Sequence, residues 1–293
     1  MTDRKQADAA FQIIGYPQRM LRPILQRIML CAVLLVPVFL PVAEAQERVD
    51  VALVLAVDVS RSMSPEELRI QRRGYAAAIA SPEVVRAIEL GAHGRIALMM
   101  FEWANDNHVR VTVDWSMIET QADATEFADR ILREESYSQR RTSISGAIVH
   151  ASEMLDEVPY LADRHVIDIS GDGPNNHGSP VTLARDIAVE SGITINGLPL
   201  MTTGGPGSQF NIPDLDVYYR RCVTGGPASF VIPVTDWDQF PDAVRRKLIL
   251  EIGGFVPEKP LVQPVQFTFE EPYDCLVGEK IWRRLREQFF WDP

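Results

Sequence analysis

Apolar runs of strand length alternate with amphipathic stretches along most of the chain. Residues 51–57 are apolar throughout and are followed by Asp58, a pattern typical of a central strand covered on both faces. The same reasoning predicts five further strands, at residues 95–101, 109–115, 165–170, 193–200 and 229–234. Residues 95–101 and 109–115 are joined by a reversal rich in Asn and Asp, so we expect them to pair antiparallel at an edge.

Helices are predicted between most of these strands. A capping box with proline at the first helical position occurs at Ser64-Pro65-Glu66-Glu67, so a helix begins there and runs towards Ala80. Helical spacing of apolar residues predicts four more helices, at residues 120–133, 143–156, 180–190 and 237–252. The alternation predicts an α/β fold with a doubly wound, mostly parallel six-stranded sheet, one antiparallel edge strand and helices on both faces. Ligands of such sheets bind at the carboxyl ends of the strands.

The first 45 residues have the pattern of an export signal. Basic residues up to Arg27 precede an apolar run at residues 28–42, and Ala43-Glu44-Ala45 supplies the small residues that a signal peptidase accepts. A membrane anchor is the alternative, but spanning a bilayer takes about 20 unbroken apolar residues, and this run is shorter and contains two prolines. We therefore predict a signal peptide at residues 1–45, no stable membrane insertion after its cleavage, and a periplasmic or secreted protein.

The remaining chain is predicted to form one domain at residues 46–254 and a C-terminal extension at residues 255–293 packed on it. The extension is rich in proline and ends in an aromatic and arginine-containing stretch at residues 281–291. Such a pattern usually reports packing in a core, with an amphipathic membrane contact as the alternative. In an oxidising compartment, a disulfide between Cys222 and Cys275 would tie the extension to the domain, and two unpaired buried cysteines are the alternative.

Composition and charge exclude several classes of function. The chain is 46% hydrophobic and 24% charged, which is ordinary for a globular protein. Its net charge of -11 argues against nucleic acid as a partner, because phosphate binding needs clustered Lys and Arg. No lysine lies between Lys5 and Lys247, which excludes Schiff-base chemistry in that region.

Oxygen-bearing side chains follow two of the predicted strands and precede one helix. The first central strand ends in Asp58-Val59-Ser60-Arg61-Ser62, Thr142 precedes the helix at residues 143–156, and Asp172 follows the strand at residues 165–170. These positions meet at the carboxyl edge of the predicted sheet. Hydroxyl and carboxylate oxygens favour hard cations, and Mg²⁺ is the first choice, with Mn²⁺ or Ca²⁺ as alternatives.

This combination resembles the metal-ion-dependent adhesion site of von Willebrand factor type A domains, over roughly residues 50–253. The resemblance implies that Ser60, Ser62 and Thr142 contact the ion directly. It also implies that Asp58 and Asp172 act largely through bound waters. In that family the open coordination position is filled by an Asp or Glu carboxylate of a partner protein, which is the kind of partner we expect here.

A narrower resemblance is carried by VIDISGDGPNN at residues 166–176, by YYRRCVTGGP at residues 218–227 and by the ending helix at residues 281–291. These segments are similar to the bacterial domain-of-unknown-function 1194 family. That group implies export and a single von Willebrand A-like domain with a short C-terminal addition. It implies no activity.

Two positions depart from the wider family pattern. Many relatives have Thr-Asp-Gly after the fourth strand, whereas this chain has Ser170-Gly171-Asp172-Gly173, offset by one residue, which leaves the place of Asp172 less constrained. Asp168 falls inside a presumed buried strand, where an unpaired carboxylate is costly. We expect an arginine partner or a protonated carboxyl at Asp168.

Rival interpretations of the same residues fit the sequence less well. Asp and Ser also cap strand-to-helix turns, which is the local alternative for Asp58, Ser60 and Ser62. Gly171-Asp172-Gly173 and the following residues also resemble the signature of haloacid dehalogenase-like Mg-dependent phosphohydrolases, with Asp58 as nucleophile. That chemistry needs a second aspartate at position 60 and a nearby lysine, and the sequence supplies neither.

The sequence therefore predicts an exported binding module rather than an enzyme. No histidine spacing supports a zinc hydrolase, and no G-x-S-x-G elbow supports a serine hydrolase. We expect a divalent cation at Asp58, Ser60, Ser62, Thr142 and Asp172 that captures a carboxylate of a protein partner in an adhesion or scaffold role. Residues 102–108 and 201–210 are expected to shape the rim.

Overall fold

A twisted parallel sheet forms the centre of the structure. The computed structural model describes residues 46–135, 137–202, 210–254 and 273–290, all within one compact unit, Gln46–Pro293. The predicted signal peptide lies outside these residues. The strands are β1 (Arg48–Val49), β2 (Ala52–Asp58), β3 (Ile96–Trp103), β4 (Val109–Ile118), β5 (Leu161–Ala162), β6 (His165–Gly171) and β7 (Ile193–Pro199).

Five of these strands form the main sheet, in the order β4-β3-β2-β6-β7. All neighbours are parallel except β3 and β4, which pair antiparallel at the edge as predicted. The short strands β1 and β5 form a separate parallel pair. A mostly parallel sheet with one antiparallel edge strand is therefore confirmed.

The predicted sixth strand lies beside β7 in a looser form. Parallel bridges join Gly197 to Val231 and Leu200 to Val234, and the amide of Val234 donates to the carbonyl of Pro199 at 3.0 Å. Pro233 within this segment has no amide hydrogen, so it cannot contribute a ladder hydrogen bond. The segment occupies the sixth position without forming a continuous strand.

Helices cover both faces of the sheet. They are α1 (Pro65–Ile79), α2 (Pro82–Glu89), α3 (Gln121–Arg133), α4 (Ile144–Asp156), α5 (Val181–Glu190), α6 (Leu215–Tyr218), α7 (Phe240–Gly253) and α8 (Val277–Phe290). A π-helical turn, Tyr219–Val223, continues α6, and a 3₁₀ turn, Trp237–Gln239, precedes α7. The capping box at Ser64 is present, with the Ser64 amide donating to the Glu67 carboxylate at 2.7 Å.

Alternate residues of β2 face two separate cores, and this explains its unbroken apolar sequence. Leu53, Leu55 and Val57 pack in a core with α1, α2, α3 and α7. Ala52, Val54 and Ala56 pack in a second core with α4, α5 and the segment around Tyr218. The helices therefore lie on both faces, as the alternation of strands and helices predicts.

The buried Asp168 has a lysine partner and not the arginine that we expected. Lys247 on α7 places Nζ 2.8 Å from Asp168 Oδ1 and also contacts the carboxylate of Glu251, one helical turn further on. All three side chains are buried. The sequence does not predict this partner, because a contact between β6 and α7 depends on how the helix packs on the sheet.

The C-terminal extension is tied to the domain by the predicted disulfide. Cys222 and Cys275 are bridged across 53 residues of sequence, with a Cα–Cα distance of 5.5 Å. Beyond it, α8 contacts the domain through Glu279, whose carboxylate accepts from Asn175 Nδ2 at 2.7 Å. Residues 255–272 and 291–293 of the extension lie outside the described residues. No helix in the described ranges has the length and hydrophobicity needed to cross a bilayer.

Candidate metal centre

The first three predicted ligands lie in the short connection between β2 and α1. Asp58 is the last residue of β2, and its Oδ1 accepts a hydrogen bond from the Ser60 amide at 2.6 Å. The Ser60 and Ser62 hydroxyl oxygens are 2.9 Å apart. Ser64 then caps α1, so only five residues separate the strand from the helix cap and the turn has little freedom. This local frame positions both hydroxyls at the carboxyl edge of β2.

Asp172 joins this group from the adjacent strand. β2 and β6 run parallel and in register, with Val57 opposite Ser170, so both strands end at the same edge of the sheet. The Ser62 hydroxyl donates to Asp172 Oδ1 at 2.7 Å, and the Ser60 hydroxyl lies 3.5 Å from the same oxygen. The one-residue offset noted in the sequence therefore still leaves Asp172 in contact with both serines.

Thr142 reaches the same place from the N-terminal end of α4. It is buried and lines one cavity together with Ser60, Ser62 and Asp172. The Thr142 amide donates to Asn176 Oδ1 at 2.9 Å, and the Asn176 amide donates to the Thr142 carbonyl at 2.8 Å. This reciprocal pair fixes Thr142 against the loop that carries Asp172. The five predicted residues thus converge from three segments of the chain.

Asn175 is a positioning residue that the sequence did not single out. Its Oδ1 accepts from the Ser145 amide at 3.0 Å in the first turn of α4, and its Nδ2 donates to the Ser179 carbonyl at 3.1 Å. Its own amide donates to the Tyr218 hydroxyl at 3.1 Å. Asn175 and Asn176 therefore join the loop after β6 to the start of α4. The two asparagines are adjacent in the sequence, but their hydrogen-bond partners lie in other segments and depend on the fold.

Gly171 is required by the close approach of two side chains. A Cβ atom at this position would lie 2.8 Å from the Tyr219 hydroxyl and 2.9 Å from Asp58 Oδ2. Both distances are shorter than real contacts of a Cβ, so any larger residue would displace the Asp58 carboxylate or the tyrosine. The absence of a side chain at Gly171 thus leaves space for the Asp58 carboxylate and the Tyr219 hydroxyl.

The electrostatics of the centre favour a bound cation. Burial raises the pKa of Asp58 well above its usual value, and the neighbouring Asp172 raises it further. Removal from bulk water raises the pKa of Asp172 to about 6, although its hydrogen bond from Ser62 opposes the shift. Within the part of the chain that the structure describes, Asp58 Oδ2 has no hydrogen-bond donor, and no lysine or arginine neutralises either carboxylate.

These residues fit a divalent cation. Two carboxylates and three hydroxyls are hard oxygen donors of the kind that Mg²⁺, Mn²⁺ and Ca²⁺ prefer. A cation would also offset the charge of Asp58 and Asp172, which is otherwise costly to bury. The alternative of a purely local cap fails to account for Thr142 and Asp172, which come from other segments.

The cavity above the centre has a volume of about 530 Å³ and is partly walled by the C-terminal extension. Trp282 of α8 lines it beside Phe210, and the two rings are stacked with centroids 6.1 Å apart. The guanidinium of Arg141 lies over the Trp282 ring, 4.5 Å from the ring centroid. Arg61 and Arg140 also line the cavity.

The predicted rim differs from the observed one. No residue of the loop at 102–108 lines the cavity, as far as the structure describes its lining. The loop instead supports the segment before α4, because the Ser143 amide donates to the Ala104 carbonyl at 2.6 Å and Asn105 Nδ2 donates to the Arg140 carbonyl at 3.2 Å. Of the other predicted rim segment, Phe210 lines the cavity, and residues 203–209 lie outside the described residues.

The phosphohydrolase alternative gains no support from the geometry. No lysine lines the cavity among the described residues, and Lys247 is buried with Asp168 and Glu251. Position 60 is occupied by a serine that hydrogen-bonds within the cluster, so it cannot act as the general acid that this chemistry requires.

A second group of possible metal ligands lies at the opposite edge of the sheet. Ligand atoms of Asp50, His93 and Asp163 all lie within 4.8 Å of one another. Their atoms already have partners: Asp50 Oδ1 accepts from the His93 amide at 2.9 Å, and Asp163 pairs with both Arg48 and His93. The group is thus satisfied by contacts within the protein.

Comparison with known proteins identifies the family. The family described as "Protein of unknown function (DUF1194)" matches residues 48–256. The chain belongs to the DUF1194 family. The narrower resemblance found in the sequence is thereby confirmed, and the match covers the whole described sheet and the metal centre. No protein with a curated description matches the chain.

Solved structures similar to this DUF1194 protein include a pilus adhesin and a von Willebrand factor type A protein. The pilus adhesin SpaC from Lactobacillus rhamnosus GG matches with a TM-score of 0.51 and 12% identity, over 71% of this chain and 32% of SpaC. A von Willebrand factor type A protein from Catenulispora acidiphila matches with a TM-score of 0.48 and 12% identity, over 70% and 43% of the two chains.

Proximal thread matrix protein 1 from the mussel byssus, solved with zinc in its metal-ion-dependent adhesion site, has a TM-score of 0.48 and 12% identity, over 71% and 48%. The DUF1194 chain thus spans less than half the length of each of these three proteins. At 12% identity, the likeness to SpaC describes the fold alone.

Proposed function

We propose that this DUF1194 protein is an exported, non-enzymatic module that binds a partner protein through a divalent cation. The cation is held by Ser60, Ser62 and Thr142, assisted by Asp58 and Asp172. The observation that carries the proposal is the convergence of these oxygens from three chain segments beside a buried carboxylate with an unpartnered oxygen. Burying these carboxylates without a cation costs free energy, whereas with a bound cation the same oxygens serve as its ligands.

Mg²⁺ is the proposed physiological ion, with Mn²⁺ and Ca²⁺ as alternatives. Hydroxyl ligands are neutral, so a cation held largely by Ser60, Ser62 and Thr142 keeps most of its charge for an external ligand. When bound, the cation supplies an electrophilic site for an anionic oxygen. The cavity beside Asp172 gives such an oxygen access from solvent. An Asp or Glu carboxylate of a partner protein is the ligand that this site favours.

Export is supported by two independent features. Residues 1–45 carry the signal-peptide pattern, and the bridged pair Cys222 and Cys275 belongs to an oxidising compartment. A periplasmic or secreted location places the cation site where millimolar divalent cations and partner surfaces are both available. The module therefore acts as an adhesion or scaffold element of the cell envelope or its surroundings.

Calorimetric titration of Mg²⁺ and Mn²⁺ into the purified chain tests the proposal. We expect the wild type to bind one cation, and Ser60→Ala with Ser62→Ala to abolish binding. The substitutions should leave the fold intact, because losing a hydroxyl of this kind costs only about 1 kcal/mol each. Ser152→Ala with Ser191→Ala is the matched control, since both of those hydroxyls donate to a carbonyl of their own helix. Unchanged affinity in the Ser60 and Ser62 variant would refute the assignment.

A further inference from the structure

We infer that the captured segment carries a second carboxylate, which binds to Arg61 and Arg140 while the first binds the cation. The inference rests on the proposed function and specifies its ligand as a short acidic peptide segment. Of the twelve lining residues that the structure describes, three are arginines and one, Asp172, is acidic. The protein as a whole has a net charge of -11, so the sign of the charge around this cavity is opposite to that of the chain.

The guanidiniums of Arg61 and Arg140 have no carboxylate partner within the described ranges. Some other exposed arginines do, such as Arg48 with Asp163 and Arg69 with Glu66. A guanidinium binds a carboxylate through paired, charge-assisted hydrogen bonds. Two unpaired guanidiniums beside a cation site therefore provide a second position for an anionic group.

Trp282, which lines the cavity together with these arginines, belongs to a wall held by several contacts. Arg141 has a φ of 76°, a left-handed conformation that non-glycine residues rarely adopt, and its guanidinium lies over Trp282. Trp282 lies on α8, and the first turn of this helix packs closely on the domain, because a Cβ on Gly278 would collide with the Asn175 carbonyl oxygen. The Cys222–Cys275 bridge anchors the start of the same segment. A preformed wall of this kind lowers the entropic cost of ordering a ligand.

The size of the cavity sets the length of the ligand. A volume of about 530 Å³ corresponds to a space about 10 Å across, within the usual range for ligand sites. An extended chain advances about 3.3 Å per residue, and side chains two residues apart point the same way. A segment with acidic residues at positions i and i+2 therefore places both carboxylates within one such cavity, whereas a flat protein surface cannot enter it.

Calorimetry with capped tripeptides on the Mn²⁺-loaded full chain tests this inference. We expect acetyl-Asp-Ala-Asp-amide to bind about tenfold or more tightly than acetyl-Asp-Ala-Asn-amide, since a hydrogen bond to a charged group is lost. In Arg61→Ala with Arg140→Ala, the two peptides should bind equally, while Mn²⁺ affinity is unchanged or higher. Arg86→Ala with Arg246→Ala removes the same charge from exposed arginines outside the cavity and should keep the tenfold preference.

The outcomes separate this inference from the proposed function. If Mn²⁺ binds to the wild type but both peptides bind equally, the second carboxylate site is refuted and the cation site stands. A preference that survives in Arg61→Ala with Arg140→Ala would also refute it. If the wild type binds no Mn²⁺, the proposed function fails and the inference fails with it.

Discussion

Two pairs of carboxyl groups, one in the interior between β6 and α7 and one at the carboxyl edge of the sheet, differ in what neutralises them. Asp168 and Glu251 are fully buried around Lys247, whose ammonium contacts both. Asp58 and Asp172 lie at the carboxyl edge beside hydroxyls, with no ammonium or guanidinium paired to them among the described residues. The first pair is balanced within the protein, and we propose that a cation from solvent balances the second.

The surroundings of the two pairs support this difference. Asn196 Nδ2 donates to Glu251 Oε1 at 3.0 Å, so amide and ammonium donors both contribute to the interior pair. At the edge, the donors are the Ser60 amide and the serine hydroxyls, and Asp172 faces a cavity. A closed site with its own cation is structural, whereas an open site without one is suited to binding.

Removal of the interior cation should have the largest effect. Lys247→Met leaves two buried carboxylates without a counterion, and breaking such a buried pair costs about 3–5 kcal/mol. We expect the free energy of unfolding, measured by urea denaturation, to fall by that amount. Arg246→Met is the neighbouring exposed control and should change it by less than about 0.5 kcal/mol. If the two variants were equally stable, Lys247 would not be needed to neutralise the interior carboxylates, and the proposed difference between the two pairs would be wrong.

Removal of a carboxylate at the edge should have the opposite sign when no cation is present. In chelator, Asp58→Asn should raise the free energy of unfolding by about 1 kcal/mol, because a buried charge is lost. In saturating Mg²⁺, the wild type should gain about 2.7 kcal/mol at a hundred times the dissociation constant, and Asp58→Asn should gain nothing.

The exposed variant Asp129→Asn provides the control for this measurement. It should behave as the wild type both in chelator and in Mg²⁺. A destabilised Asp58→Asn in chelator would show that Asp58 is a structural residue, and this would contradict the difference between the two pairs.

A further difference between the two pairs concerns pH. Burial, reinforced by Asp168, raises the pKa of Glu251 to about 7 although Lys247 opposes the shift. The folded protein therefore holds this proton more tightly than the unfolded chain, whose glutamate has a pKa of about 4.5. Protonated Glu251 therefore contributes fully to the free energy of unfolding below about pH 4.5, and this contribution is lost as the pH rises through about 7.

Glu251→Gln removes this titration. We expect the free energy of unfolding in chelator to fall less steeply between pH 4.5 and about 7 in Glu251→Gln than in the wild type. The exposed Glu190→Gln should retain the slope of the wild type. An unchanged slope in Glu251→Gln would show that Glu251 does not titrate in this range.

The strands and most helices follow from local patterns, which explains why the sequence predicts them. The apolar run that ends at Asp58 and the capping box at Ser64 depend only on neighbouring residues. Helix α2 is not among the predicted helices, although Ser81 and Pro82 supply at its start the same kind of cap and first-position proline as at the start of α1.

Contacts that depend on tertiary packing could not be predicted in the same way. The five proposed ligands were found because the ends of parallel strands meet at one edge of a sheet. The partner of Asp168 comes from a distant helix, and the wall formed by Trp282 depends on how α8 is held by Asn175 and the disulfide. The spacing of these residues along the sequence does not predict those contacts.

Anomalous diffraction from crystals grown with Mn²⁺ tests the central claim most directly. The account predicts one strong anomalous peak within coordination distance of the Ser60 and Ser62 hydroxyls, beside Thr142 and Asp172. A peak found only at Asp50, His93 and Asp163, or no peak at a saturating concentration, would contradict it.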